Sequence, residues 1–313
     1  MSERQGRPKI YKTWAHDSTR WEYYEPRDGD VVIATHSKCG TTWMQRIVSL
    51  LIFQSPEPIP VLEISPWIDA RFIMPVEVLR DHIEAQRHRR FVKSHLPFDG
   101  LPHYEQIRYI HVGRDARDAC MSFFNHCSAF TPAAYEALDQ SAPELGPYPR
   151  CPEDPREFWR RWFTRGVLAD ARDGYPDVSF FDLEATYWRA RHAENLLLVH
   201  YNDLKADLEG EMRRVAQFLS IEPPREVWPS LVQAATFEAM KRDGKTLLGR
   251  ANDFFEGGAD RFLFKGSNGR WRDVMTADDL ALYGKAARRF TPELARWIEN
   301  GRLVAGDPRA APD

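Results

Sequence analysis

Asp30-Val-Val-Ile-Ala-Thr35 is a short apolar, β-branched run, and it gives way at Gly40 to a helical period. From residue 40 to 53 the apolar residues Trp43, Met44, Ile47, Val48 and Leu51 recur at helical spacing. A strand with no polar face must be covered on both sides, which is the environment of a parallel sheet. The pattern returns along the chain. Residues 76–88 read as a helix and 90–93 as a strand. Residues 106–112 read as a strand with 115–126 as its helix, and 195–200 as a strand with 204–220 as its helix. This alternation predicts an α/β fold of three layers: a mostly parallel central sheet with helices on both faces.

Within 313 residues this pattern predicts one domain over 1–313, with its core at about 30–275. Two segments break the rhythm. Residues 131–155 hold six prolines and read as a lid. Residues 241–270 are rich in Gly, Asp and Arg and read as a loop that covers a ligand. A net charge of −3 argues against a bulk nucleic-acid binder. No apolar run approaches the ~18 residues of a membrane span. The charged start (Glu3, Arg4, Arg7, Lys9) has no apolar stretch after it, as expected of a cytoplasmic protein without a signal peptide. Four cysteines (Cys39, Cys120, Cys127, Cys151) without C-x-x-C spacing fit a reducing compartment. Cys120, His126 and Cys127 have no second cluster to complete a metal site, so no metal is expected. The basic run at 86–93 reads as a solvated face, with transient membrane-surface contact as the alternative.

Only nine of the 43 basic residues are lysine, so each lysine is informative. Thr35-His-Ser-Lys-Cys-Gly-Thr-Thr-Trp43 lies between strand and helix, where a turn at Gly40 leaves the N–H groups of Thr41 and Thr42 at a helix start. Lys38 adds a charge, and no acid occurs from residue 31 to 45. The other strands end in Lys93-Ser-His95, Gly113-Arg114 and His200-Tyr201. In open parallel sheets ligands bind outside the carboxyl ends of the strands. Lys38, Lys93, His95, Arg114 and Tyr201 therefore converge on one edge, a pattern suited to a polyanion beside a titratable imidazole. Three chemistries compete for it. A P-loop kinase or NTPase needs G-x-x-x-x-G-K-[ST] and an acid for Mg²⁺, and neither is present. A cysteine phosphatase would use Cys39 at a helix start, but six residues separate it from Arg46 where such loops have five. The third is sulfuryl transfer from a phosphonucleotide.

The chain resembles the cytosolic-type sulfotransferases, which use 3′-phosphoadenosine-5′-phosphosulfate (PAPS). The resemblance rests on six stretches in order over about 30–275: Lys38-Cys-Gly-Thr-Thr-Trp43, Lys93-Ser-His-Leu-Pro97, the run from Gly113-Arg114 to Ser122, Tyr201-Asn-Asp-Leu204, Thr236-Phe-Glu-Ala-Met240 and Lys265-Gly266. Ser65-Pro-Trp67, Gln86-Arg-His-Arg-Arg90 and Phe98-Asp-Gly-Leu101 also resemble mycobacterial glycolipid sulfotransferases. The resemblance implies a P-loop-like 5′-phosphosulfate loop made by Lys38, Cys39, Gly40, Thr41, Thr42 and Trp43. It implies His95 as general base, kept neutral by Lys38 and Lys93, with Lys38 on the bridging oxygen and Lys93 in support. Arg114 and Ser122 would hold the 3′-phosphate, although eight helical residues span ~12 Å. Trp43 and Phe237 would sandwich the adenine, Met240 and Tyr201 would line its slot, and Lys265 and Gly266 would close over the phosphate. PAPS is then the donor, without a metal, and the acceptor is a hydroxyl on a phenol, alcohol or glycolipid. Phe123, Phe124, Phe130, Trp159, Trp162 and Phe163 are candidates for an apolar acceptor wall, and Arg272 to Thr276 partly resembles the family's dimer segment. A non-catalytic module that binds the spent nucleotide (PAP) is the alternative reading.

Four positions depart from the family's pattern. Phe264 stands in place of an arginine, with Arg261 or Arg270 as replacements. Ala235 stands in place of a hydroxyl residue, Ser37 replaces a proline and should loosen the loop, and Cys39 replaces a serine with no nucleophilic role.

Overall fold

Each strand of the sheet is almost wholly buried, which is why each reads as a continuous apolar run. The computed structural model describes residues 8–312. Strands β1 (Val31–Ala34), β2 (Phe91–Ser94), β3 (Arg108–Gly113) and β4 (Leu196–His200) lie in the order β2-β1-β3-β4, parallel throughout. Alternate side chains leave opposite faces. Val32, Ala34, Val92, Tyr109 and Leu198 join one core, packed with residues of the helices Ala116–Cys127, Pro155–Thr164 and Phe180–Arg189. Val31, Ile33, Phe91, Ile110, Val112 and Val199 join the other, with α1 (Thr41–Phe53) and the helix Leu208–Phe218. The three-layer α/β expectation holds, and the strand ends that carry the basic residues share one edge.

Several local expectations need correction. The helix expected over 204–220 is two, Tyr201–Ala206 and Leu208–Phe218. They part at Asp207, whose non-helical backbone (φ −145°, ψ 74°) and carboxylate bonded to the Gly210 N–H start the second. The proline-rich segment is not irregular. Pro132 opens the helix Pro132–Ser141 behind a Thr131 cap, and Pro155 opens Pro155–Thr164 behind an Asp154 cap. Proline is favoured at a first helical position because the N–H it lacks is unpaired there anyway. Residues 241–270 likewise contain the single turns Gly244–Leu248, Gly249–Phe254 and Gly258–Phe262. The two segments clasp each other. Thr131 N–H donates to Phe254 O (3.1 Å), Glu256 N–H donates to Ala129 O (2.8 Å), and Phe130 and Phe255 form an antiparallel bridge.

The lead-in is also tied down: His16 bridges Ala70, and residues 18–23 form a 3-10 turn. Glu3, Arg4 and Arg7, used in the reading of the N-terminus, lie outside the described residues. The basic run at 86–93 is not a solvated face throughout. Arg90 is buried against Asp30 and Glu84, and Arg89 donates to the carbonyls of Gly29 and Leu219. Among the described residues no helix is long and apolar enough to cross a membrane.

Candidate active site

The loop between β1 and α1 turns through two left-handed residues, Lys38 (φ +67°) and Gly40 (φ +110°). Gly40 suits that conformation, and a Cβ there would sit 3.1 Å from the Tyr201 ring. Lys38 holds it at a cost of about 1–3 kcal/mol, a strain that surrounding bonds must impose. The Ser37 hydroxyl donates to Asp177 Oδ2 (2.6 Å), so the loop expected to be loosened by loss of a proline is tethered instead. Thr35 Oγ1 donates to the His36 carbonyl (2.8 Å), which leaves Thr41 to donate to Thr35 Oγ1 (2.6 Å). Gly40 supplies no capping side chain and the first turn of α1 has no acid, which leaves the N–H groups of Thr41, Thr42 and Trp43 able to receive an anion. Cys39 is fully buried, and burial pushes its thiol well above the usual range, against a phosphatase-type thiolate.

His95 follows β2 and is buried. Its Nδ1–H donates to the Thr35 carbonyl (2.7 Å), so the neutral ring keeps its lone pair on Nε2. Its backbone N–H donates to Asp69 Oδ2 (3.2 Å), which also takes the Trp67 indole N–H (2.7 Å), and the Trp67 ring stands edge-on to the imidazole at 4.7 Å. Burial, then the charge of Lys93, holds His95 well below the ordinary histidine range. The expectation is repulsion from Lys38 and Lys93 together; burial acts first, and Lys93 is the lysine that follows it. The Lys93 ammonium lies 4.4 Å over Trp67 and is pushed down to about 8 by burial. Lys38 is pushed down to about 7 by burial and by the cations Lys93 and Arg114. Among the described residues no carboxylate pairs with Lys38. Its nitrogen lies 4.1 Å from the Phe262 ring centroid and 3.4 Å from His126 Nδ1.

Arg114, at the end of β3, folds back over the loop. Its guanidinium lies 4.0 Å over Tyr201, gives Nη1–H to the Lys38 carbonyl (2.8 Å) and Nη2–H to Asn268 Oδ1 (3.0 Å), and leaves a buried Nε without a partner. Ser122 is not bonded to it. It sits half-buried on the helix Ala116–Cys127, one turn before His126 and on the same face. Arg261, Lys265 and Arg270 surround the Phe264 ring at 5.2, 5.2 and 5.4 Å. Burial and then Arg114 lower Arg270.

The expected adenine side is only partly assembled. Trp43 donates its indole N–H to the Ala235 carbonyl (2.7 Å) and meets Tyr201 edge-on at 5.4 Å. Ala235 thus serves through its backbone, whatever its side chain lacks. The Phe237 ring packs on Gly266, where a Cβ would come within 2.9 Å of it. Met240 is core, in a small cluster with Val61, Leu247 and Leu248. Lys265 is exposed, and the Gly266 carbonyl accepts from Lys205 (2.8 Å).

Of the six proposed wall residues, Phe123, Trp159, Trp162 and Phe163 belong to the main core, and Phe124 packs partly buried against it. Phe130 faces the site, in contact with His126, Phe255, Tyr135 and Tyr148. Trp67, Phe72 and Phe254 continue the apolar surface. Sequence reasoning missed His126 as a site residue, weighing it only as a metal ligand, although its i+4 spacing from Ser122 was readable. It missed Asn268, which lies three residues after Lys265. It also missed His16, Asp69 and Asp177, which arrive from segments without periodicity. His16 Nδ1 lies 3.2 Å from Asp177 Oδ1, and its ring lies 6.3 Å from that of His95. The cysteines are free thiols, and no group able to hold a metal occurs among the described residues. Surface cavities of about 1,100 and 320 Å³ include none of these basic strand-end residues.

Residues 28–295 match the family model described as "Sulfotransferase domain". Over 94% of each chain the protein is 33% identical to a protein named glycolipid sulfotransferase from Mycobacterium bovis, and equally to one from Mycobacterium tuberculosis. It is 29% identical to human sulfotransferase 2B1 over 84% of this chain and 66% of that one. Among solved structures, retinol dehydratase in complex with androsterone and PAP is similar in fold, with a TM-score of 0.66 at 20% identity over 87% of this chain and 82% of that one. Mouse sulfotransferase SULT7A1 complexed with PAP has a TM-score of 0.66 at 16% identity over 90% of each chain.

Proposed function

The chain belongs to the sulfotransferase domain family, and from that premise we propose that it moves a sulfuryl group from PAPS to a hydroxyl of a glycolipid or another amphipathic alcohol, with His95 as general base. The observation that carries this reading is the His95 imidazole: Nδ1 is committed to the Thr35 carbonyl at 2.7 Å, so the basic lone pair sits on Nε2 beside Lys93. The site suits a doubly anionic nucleotide, since the first turn of α1 is uncapped, Lys38 is lowered by burial and then by the cations Lys93, Arg114 and Arg270, and Arg114 Nε is buried without a partner. Bound PAPS supplies the sulfuryl group and leaves as PAP.

The protein's own groups do the rest. His95 Nε2 takes the proton of the acceptor hydroxyl as its oxygen bonds to sulfur. Lys38 and the N–H groups at the start of α1 steady the charge that gathers on the 5′-phosphate side as the bridging bond breaks. Lys93 supports the same charge. Arg114, Ser122, Lys265 and Gly266 form the 3′-phosphate end. Trp43, Tyr201 and Phe237 line the adenine slot, with Met240 in the core cluster behind Trp43 and the backbone of Cys39, Gly40, Thr41 and Thr42 at its phosphate end. Trp67, Phe72, Phe130 and Phe254 offer an apolar surface to the acceptor, and the clasped segments 131–155 and 241–270 cover it as parts of one domain. The relatives named glycolipid sulfotransferase support the choice of acceptor.

The test is transfer of labelled sulfate from PAPS, without added Mg²⁺, to a panel of phenols, long-chain alcohols and glycolipids. Glycolipids should take the label. Tight PAP binding with no labelled acceptor would make the chain a nucleotide-binding module, and Mg²⁺-dependent ATP hydrolysis would replace the proposal altogether.

A further inference from the structure

Lys38 is the residue whose charge the proposed transfer needs most, and its position is fixed from two sides. Its backbone is held in the left-handed region, so the side chain leaves the loop in one direction. At the other end the ammonium contacts the Phe262 ring face and Nδ1 of His126. A ring face attracts a cation but fixes no direction, whereas an ammonium only donates and a lone pair receives along a line. Nδ1 of His126 therefore supplies the directional contact.

The surroundings make this contact consequential. His126 lies in the last turn of the helix that carries Ser122, and its ring is in contact with Phe123, Phe130, Phe255 and Phe262. Burial, then the charges of Lys38 from the β1 loop and Lys93 from β2, keeps it neutral. Lys38 in turn faces Lys93, Arg114 and Arg270, with the Cys127 thiol beside it. A neutral imidazole can hold a lysine among cations without neutralising it, as a carboxylate would.

We propose that His126 is a positioning residue: as the Nε2–H tautomer, its Nδ1 lone pair holds the Lys38 ammonium toward the sulfuryl-transfer centre. The proposal rests on the role of Lys38 stated above, but its first tests do not require turnover. Accepting from the ammonium favours its charged form, so loss of the acceptor should lower the Lys38 pKa further from about 7.

Asparagine places a carbonyl oxygen near the position of Nδ1, whereas phenylalanine suits the aromatic surroundings and accepts nothing. The two variants therefore rank in opposite order for positioning and for packing. Nitrogen NMR of the wild-type protein should show His126 protonated on Nε2. NMR titration of its few labelled lysines should show Lys38 titrating at least half a pH unit lower in His126→Phe and near wild type in His126→Asn. The basic limb of kcat/KM should move with it, and kcat should fall about tenfold in His126→Phe with partial recovery in His126→Asn. Protonation on Nδ1 in the wild type, an unmoved Lys38 in His126→Phe, or a His126→Asn variant more impaired than His126→Phe would overturn the proposal. The wild-type tautomer decides it even if a variant fails to fold. Loss of PAP binding in the wild type would overturn the reading of the site but leave the His126–Lys38 contact standing.

Discussion

The Thr35 carbonyl accepts the Nδ1–H of His95 across 2.7 Å, so the end of β1 sets the tautomer of the imidazole that follows β2. In its proposed role as general base, His95 works only while neutral. Burial, then Lys93, holds His95 below its ordinary value of ~6.5, so transfer should persist below that pH and fail as pH drops through the depressed pKa. Lys93→Met removes the second of these causes and should move the acid limb of kcat/KM upward. His95→Ala should lose about 10²–10⁴ in rate and keep PAP affinity within about threefold. An acid limb that ignores Lys93→Met would mean that another group titrates.

The same burial links stability to pH. His95 and His126 are held well below the usual range, and burial holds His200 at about 4. In each case the unfolded chain binds the proton more readily than the folded one. The stability they contribute is fully present above ~6.5 and declines as pH falls through the folded values. Urea unfolding between pH 6 and 5 should therefore show uptake of about one proton for each of these imidazoles. His95→Asn should reduce the slope by about 1.4 kcal/mol per pH unit. An unchanged slope would mean that His95 is already charged in the folded state.

The strands and the basic residues at their ends were legible because a two-sided sheet writes its burial into continuous apolar runs such as Val31 to Ala34. The uncapped, acid-free start of α1 was legible because Gly40 and the absence of acids are local properties. The prolines misled. The six prolines of 131–155 suggest an irregular lid, but Pro132 and Pro155 each follow a capping side chain and start a helix. Ser37 was read through the proline it replaces, and the carboxylate that tethers it lies 140 residues away. Asp69 and Asp177 reach the site by tertiary contact alone, and nothing local to either residue signals it. His126 is a middle case: its spacing from Ser122 put it on the correct face, but its partner Lys38 lies 88 residues back.

Phe264 organises three cations without pairing any of them, and Arg270 is the one whose charge also acts on Arg114's neighbourhood. If this cluster receives the 3′-phosphate, Arg270→Ala should weaken PAP about 10- to 100-fold, the range of a lost charge-assisted hydrogen bond. AMP, which lacks that phosphate, should bind as before. Phe264→Arg in the Arg270→Ala background should recover much of the loss. Calorimetric titration with the two nucleotides measures both, and an equal loss for PAP and AMP would place Arg270 elsewhere in the slot.

Lys38 pays twice for its position, through a left-handed backbone and through an ammonium pressed among Lys93, Arg114 and Arg270. Glycine at this position relieves both. The strain is about 1–3 kcal/mol, and the added freedom of the unfolded chain takes back about 0.4–1. Lys38→Gly should therefore be more stable than the wild type by about 1 kcal/mol without nucleotide, yet nearly inactive in transfer. Lys38→Ala relieves the charge but keeps a Cβ in the left-handed region, so it should fall between the two. Urea unfolding of the three proteins gives the order directly. If Lys38→Gly proved less stable than Lys38→Ala, the loop would not be storing backbone strain at this residue.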